Sequence, residues 1–345
     1  MKMMICGDAH FGIRNNSTKH LDFQTTWFRE ELIPSIKKKK CESVVFLGDI
    51  FDSRINLSPL ILQQVRQLFK ELTSFVDVYC ILGNHDIFYR NGRDVHSLDV
   101  LTDQGVNVIE HPTVMEIADK NMLFLPWVVK NESEEVSKLL VKDNYDACFG
   151  HIEINGFEKV KGVMEDEGFS TSLFENCNNV FSGHFHLKRD LKHINYVGTP
   201  FELTWNDYKD EKGLHVYDTK TGDIEFIETQ NTPKHLKILV SSTSLEDIDR
   251  DLIANNIIRL VIDTELTEVQ KIDYVEKINS LEPLLFTVDD ESIVDFETDE
   301  EVEADIKDTL GFLSDFLDIT ELPEGLERKK LWSTVEEIYG KCARI

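Results

Sequence analysis

Five short fragments of this chain end in side chains able to hold a metal ion, and each follows an apolar, strand-like run. They are Gly7-Asp8-Ala9-His10, Gly48-Asp49-Ile50-Phe51-Asp52, Gly83-Asn84-His85-Asp86, Gly150-His151 and Gly183-His184-Phe185-His186. Each is weak alone. Asp-x-His arises by chance, Asp in loops commonly caps helices, and Asn-His-Asp makes turns with its own side chains. Together they complement one another. Carboxylate, imidazole and amide oxygen form a mixed donor set that suits Mn²⁺ or Fe²⁺ better than the thiolate-rich sites of structural zinc. Two divalent cations sharing a carboxylate are a device for attacking phosphate esters.

Such chemistry requires elements that bring distant fragments to one place. Runs at 2–6, 43–47, 76–82, 122–125, 145–149 and 179–182 are short, apolar and mostly followed by Gly or Pro, whereas 23–40, 59–73 and 133–141 carry apolar residues at helical spacing. Runs buried on both faces and alternating with helices predict a layered α/β/α domain, with the motifs on loops along one sheet edge. Strands at 193–197, 214–217 and 224–227 close this domain, and Pro233 marks a boundary, giving a first domain over 1–232. A smaller α/β unit follows over 233–288, with strands at 236–240, 257–262 and 284–288 and helices at 245–254 and 269–279. An acidic linker is expected over 289–303. A helical hairpin over 304–345 then presents two apolar stripes, too small to bury each other well, which favours docking on another protein.

The formal charge of −27 argues against a protein that coats DNA, but it is unevenly spread. Residues 289–327 hold sixteen acidic groups against one basic, Lys307, so the excess sits away from the motifs. The six cysteines show no CxxC spacing, and Cys6, Cys80 and Cys148 sit inside apolar runs, which points to a reduced, intracellular setting. Neither a signal-peptide core nor a run of about 20 apolar residues is present, so a soluble protein with no membrane role is expected.

The order Asp-x-His, Gly-Asp-x-x-Asp, Gly-Asn-His-Asp, His, Gly-His-x-His resembles the calcineurin-like metallophosphoesterases. Within them the chain is most similar to the nuclease subunits of SbcCD-type DNA double-strand-break repair complexes, and among these to the T-even phage form. Gly150-His151-Ile152-Glu153-Ile154-Asn155-Gly156-Phe157 and Tyr196-Val197-Gly198-Thr199-Pro200 add to the likeness. The resemblance implies one cation on Asp8, His10, Asp49 and His186, and a second on Asp49, Asn84, His151 and His184. Asp49 would bridge ions roughly 3.5–4 Å apart. It implies Mn²⁺, with Mg²⁺ or Fe²⁺ as alternatives, and a catalytic His85 that reaches the scissile phosphate and assists the leaving oxygen. Archaeal and eukaryotic relatives carry histidine where this chain has Asp52. Here Asp52 is expected to orient a ligand such as His10, and Asp86 either caps the turn after its loop or serves catalysis.

The same resemblance implies DNA end processing by a Mn-dependent endo- or exonuclease. It implies a coiled-coil ABC-type ATPase partner gripped by 304–345, a nuclease homodimer, and a small capping domain beside double-stranded DNA ends. The expected location is the cytoplasm, that of a bacterial host for a phage protein. Arg14, Arg54, Arg90, Arg93, Lys188 and Arg189 lie just beyond the motifs and are candidates for DNA phosphate contacts. His20, His96, His111, His193, His215 and His235 lack paired ligands nearby and are assigned no catalytic task. Two other readings use the same residues: a phosphatase acting on phosphomonoesters or phosphoproteins, and a non-catalytic adaptor for the ATPase whose metals only stabilise the fold.

Overall fold

Strands that carry the motifs alternate between two apolar environments, which explains why they read as unbroken apolar runs. In 2–6, Met4 and Cys6 pack with Trp27, Phe28 and Phe69 on one side, while Met3 and Ile5 pack with Phe124, Phe149 and Phe181 on the other. The same alternation separates Val44 and Phe46 from Val45 and Leu47. No strand face is left for water, so the hydrophobic effect drives burial on both sides.

The computed structural model describes residues 1–129, 131–291 and Trp332. Its strands are β1 (Lys2–Cys6), β2 (Ser43–Phe46), β3 (Asp77–Ile81), β4 (Asn107–Ile109), β5 (Thr113–Ile117), β6 (Lys120–Leu125), β7 (Ala147–Gly150), β8 (Glu158–Val160), β9 (Val163–Met164), β10 (Val180–Ser182), β11 (Arg189–Leu191), β12 (Ile194–Tyr196), β13 (Gly213–Asp218), β14 (Ile224–Glu228), β15 (His235–Leu239), β16 (Ile257–Ile262) and β17 (Leu285–Asp290). One sheet runs β14-β13-β1-β2-β3-β4 and a second runs β11-β12-β10-β7-β6-β5. Neighbours from β1 to β4, and from β12 through β10 and β7 to β6, are parallel, while β13, β14, β11 and β5 run antiparallel at the edges. The α/β layering expected from the sequence is present, but its middle layer is two sheets packed face to face. Periodicity reports that both faces of a strand are buried; it does not distinguish a helix from a second sheet as the cover.

Every candidate ligand follows the C-terminal end of a parallel strand: β1, β2 and β3 in the first sheet, β7 and β10 in the second. The helical run at 23–40 consists of a helix Thr18–Trp27, a π turn Phe28–Leu32 and a helix Ile33–Lys39. Pro34 has no N–H to give the turn before it, and the ladder widens there so that the Ile33 N–H donates to the Phe28 carbonyl. From this segment Gln24, fully buried, donates from Nε2 to the carbonyls of Ala9 at 2.8 Å and His10 at 3.2 Å, pinning the first motif.

The sheet β15-β16-β17 is parallel, with Ile238, Leu260, Tyr274 and Ile278 in a core of its own. The helix Glu268–Ser280 starts from a Thr267/Gln270 capping box. The helix expected over 245–254 is broken: Leu245–Asp247 is a 3₁₀ turn, Ile248 is extended, and Asp249 caps a short helix Arg250–Ile253. Asp289 and Asp290 continue β17. The rest of the acidic stretch and, Trp332 apart, the hairpin expected over 304–345 lie outside the described residues. Among the described residues no helix is long and apolar enough to cross a membrane. Cys6, Cys41, Cys80, Cys148 and Cys177 are free thiols and buried.

Candidate metal centre

Three of the candidate ligands sit in left-handed backbone that ordinary residues avoid: His10 at φ 48°, Asp49 at φ 47° and His184 at φ 80°. Such conformations persist where surrounding structure over-determines them, and they concentrate at functional sites. The glycine in front of two motifs has an equally local reason. A Cβ on Gly83 would lie 2.1 Å from Asp49 Oδ1, and one on Gly183 would lie 2.4 Å from Asp8 Oδ1. Each loop thus leaves room for a carboxylate delivered by another.

The structure brings all seven sequence-nominated ligands together. Ligand atoms of Asp8, His10 and His186 lie within 4.8 Å of one another, as do those of Asp49, His151 and His184, and those of His10, Asp52 and His85. Asn84 Oδ1 is 2.9 Å from both His151 Nε2 and His184 Nδ1. Asp49 Oδ2 stands between the two groups, 3.4 Å from His151 Nε2 and 3.8 Å from His10 Nε2. His10 Nε2 faces His186 Nε2 at 3.2 Å. Asp8 accepts from the His184 N–H at 2.9 Å, and Asp49 Oδ1 from the His85 N–H at 2.8 Å.

The calcineurin-like phosphoesterase family matches residues 1–188, more than half of the chain. The chain belongs to that family. It is similar to exonuclease subunit 1 of Enterobacteria phage T4, 29% identical over 241 residues that cover 69% of this chain and 70% of the relative. Solved structures similar to it include two at 16% identity. One is a novel archaeal phosphodiesterase, with 66% of this chain and 100% of that one aligned at a TM-score of 0.36. The other is the Pseudomonas putida nuclease MPE, with 65% and 87% aligned at a TM-score of 0.31. The protein is a phosphoester hydrolase.

The electrostatics of this phosphoesterase site match a cation-binding role. Burial would raise Asp49, yet the imidazoles of His151, His10 and His85 outweigh it and hold the carboxyl well below the usual range. Burial instead lifts Asp8 to about 7, with Asp49 adding to the rise and His151 and His10 opposing it. His10 and His151 are pushed down by burial but raised to about 9 by the carboxylates around them, Asp52, Asp49 and Asp8 for His10, and Asp49 and Asp8 for His151. His186 is driven down to about 3 by burial and His10, and burial lowers His184 against the pull of Glu153. Two dry carboxylates therefore demand positive charge, while neutral imidazoles offer lone pairs in the same space. Hard oxygen and borderline nitrogen donors without sulfur are the chemistry of Mn²⁺, Mg²⁺ or Fe²⁺.

Supporting contacts fix the donors, and several escaped the sequence reading. His151 Nδ1 donates to the Leu47 carbonyl at 2.7 Å, which leaves Nε2 as its free lone pair. Glu153 Oε1 lies 3.1 Å from His184 Nε2, and the Trp127 ring packs on His184 at 4.9 Å. Behind His186, fully buried Lys212 donates from Nζ to the His186 carbonyl at 2.6 Å and to Asp207 at 2.8 Å. Breaking one partner of such a pair strands a buried charge, at a typical cost of about 3–5 kcal/mol. Only Glu153, two residues past His151, carried a hint in its spacing.

Asp52 Oδ1 lies 3.2 Å from His10 Nδ1, and the Asp52 carbonyl accepts from His85 Nδ1 at 2.5 Å. Asp86, lifted to about 7 by burial and by Asp49, accepts from the Gly83 N–H at 2.9 Å and the Phe51 N–H at 3.2 Å, tying two ligand loops together. Partners one step removed from a metal typically carry 10–100-fold in affinity. Asp52→Asn is therefore expected to weaken Mn²⁺ binding about 10- to 100-fold by calorimetry; parental affinity would remove the orienting role.

The remaining histidines sit elsewhere: His96 near Asp99 and Glu110, His111 on Arg93, His193 on the Phe174 carbonyl, His235 on Glu202, and His20 on Ser17. His215 is buried against Phe226. Of the nominated cations, Arg93 is paired with Glu132, Lys188 with Glu211, and Arg189 with Glu158 and Asp210. These three are already neutralised by carboxylates.

Proposed function

We propose that this protein is a metal-dependent DNA nuclease that cleaves phosphodiesters at a two-cation centre. The convergence of six further donors on Asp49, with His85 held at its edge, carries the reading. In it, Asp8, His10, Asp49 and His186 hold one ion, Asn84, His151 and His184 share Asp49 to hold the second, and Mn²⁺ is the favoured metal. Bound cations supply Lewis-acid charge for the phosphate oxygens and lower the pKa of water toward neutrality. The chain's own residues do the rest. The Leu47 carbonyl and Glu153 fix the tautomers of His151 and His184, and Asp52 steadies His10. His85 is gripped at both its N–H and its Nδ1, so Nε2 remains to contact the phosphate or protonate the departing oxygen.

The relative named as a subunit supports a partner for this chain. An ABC-type coiled-coil ATPase bound through 304–345, a homodimer of the nuclease, and work on double-stranded DNA ends in recombination within the cytoplasm complete the reading. Its test compares Mn²⁺-dependent digestion of end-labelled duplexes with hydrolysis of a chromogenic phosphomonoester. DNA cleavage is expected; rapid monoester turnover with intact DNA would favour a phosphatase instead.

Protons compete with metal here. His10 and His151 hold theirs up to about 9 beside the carboxylates, so cation binding must expel protons. Each imidazole is blocked below its folded pKa and free above it, so Mn²⁺ affinity should climb between about pH 7 and pH 9. Calorimetry in buffers of different ionisation enthalpy would show the proton release; an affinity flat across that window would deny both imidazoles a ligand role.

A further inference from the structure

The arginines divide into two kinds. Arg29, Arg66, Arg93, Arg189 and Arg250 each meet a carboxylate. Among the described residues Arg14, Arg54, Arg90 and Arg259 meet no carboxylate; Arg259 lies over the Trp205 ring, whereas Arg54 and Arg90, in a chain carrying −27, follow Asp52 and Asp86 by two and four residues. Burial, and next the charge of Arg90, hold Arg54 below its usual value against the pull of Asp49. The same loops expose large apolar side chains. Phe88 is 43% exposed, Tyr89 57% and Ile55 74%, and Phe88 and Tyr89 meet edge to face at 4.8 Å.

The loops carrying these groups are tied to the loops of the metal centre. Phe88 begins a loop closed by its N–H on the Val95 carbonyl at 2.9 Å and by the Ile87–His96 bridge, three residues past His85. The loop bearing Arg54 starts from Asp52, whose carbonyl holds His85. It is laced to the first motif's loop, where Asn16 Oδ1 accepts from the Ser58 N–H at 2.9 Å and Asn16 Nδ2 donates to the Asn56 carbonyl at 3.1 Å. Arg90 also borders a cavity of about 730 Å³ lined by Trp127 and Glu153, both of which touch His184. Exposed aromatic rings interleaved with unpaired guanidiniums form a surface that takes flat bases and phosphates together.

We infer that Phe88 and Tyr89 form a base-stacking platform for an unpaired nucleotide flanking the scissile phosphate, with Arg54 and Arg90 gripping the phosphates on either side. This rests on the nuclease reading and adds a specific strand-binding site to it. Duplex bases are already stacked on each other, so such a platform favours a strand that is single or frayed at the point of cleavage.

The test uses the full chain with a single-stranded oligonucleotide carrying 2-aminopurine beside the cleavage site, and a blunt duplex for comparison. Phe88→Ala/Tyr89→Ala is expected to raise KM on the single strand about tenfold, with kcat within about twofold of the parent. Fluorescence quenching on binding in EDTA should be lost, and Tyr89→Trp should retain it. Arg54→Gln/Arg90→Gln should reduce the slope of log affinity against log salt by about 1.4, about 0.7 for each phosphate released. Parental KM, quenching and slope in these variants would overturn the platform while leaving the nuclease reading standing. So would a loss of dimer on size exclusion without change in strand binding, which would make the patch a contact between copies. A parent that cleaves no DNA, yet hydrolyses a phosphomonoester, would instead remove the nuclease reading itself.

Discussion

Asp49→Asn is expected to lower metal content from two ions per chain and to cut nuclease kcat/KM by at least about 10³-fold, beyond the 10–100-fold carried by supporting partners. The reason is placement. Asp49 Oδ2 reaches both groups of imidazoles, 3.4 Å from His151 and 3.8 Å from His10, and Oδ1 accepts the His85 N–H. Asparagine keeps the shape and an acceptor for that N–H, so folding should survive and thermal melting should show it. What disappears is the charge that keeps His10 and His151 high and that two cations would share. Metal analysis by mass spectrometry together with cleavage rates decides the matter. Two bound ions and near-parental turnover in the asparagine variant would end the shared-carboxylate account.

His85→Ala is expected to leave both ions in place and to reduce kcat on DNA by about 10²- to 10⁴-fold, the range typical for loss of a positioned general acid. The backbone N–H that binds Asp49 remains in the variant, so the carboxylate keeps its partner. The ring is lost, and with it the imidazole that the Asp52 carbonyl orients edge-on to His10 at a centroid distance of 5.0 Å. If His85 protonates the departing oxygen, the defect should shrink for an aryl ester whose leaving group needs no proton. An equal defect on both substrates would assign His85 to holding the phosphate. Parental rates on both would give it no role.

The two variants separate holding metal from moving a proton, and the difference between them was partly visible in the linear chain. Gly83-Asn84-His85-Asp86 carries a candidate ligand, an imidazole and a buried carboxylate in succession, and the family resemblance of the motifs nominated the first two. Asp86 was ambiguous there, because a loop aspartate beside glycine serves a turn as readily as a reaction. Its acceptor contacts to Gly83 and Phe51 show what it does: it fastens two loops that lie far apart along the chain.

Residue order was sufficient for whatever depends on covalent neighbours and on burial. Apolar runs followed by glycine and a polar ligand locate β1, β2, β3, β7 and β10 and the loops after them, because strand burial and turn chemistry are local properties. Contacts across the chain were invisible at that level. Two facing sheets and one sheet between helices write the same apolar pattern, and nothing in spacing pairs Lys212 with Asp207 behind His186 or sets Glu153 against His184. The same holds for arginine: Arg90 and Arg93 are three residues apart, yet only Arg93 meets a carboxylate, Glu132, and only Arg90 stays free for an anion. Tertiary packing decides such matters because Coulomb and hydrogen-bond energies depend on distance in space, which sequence separation does not encode.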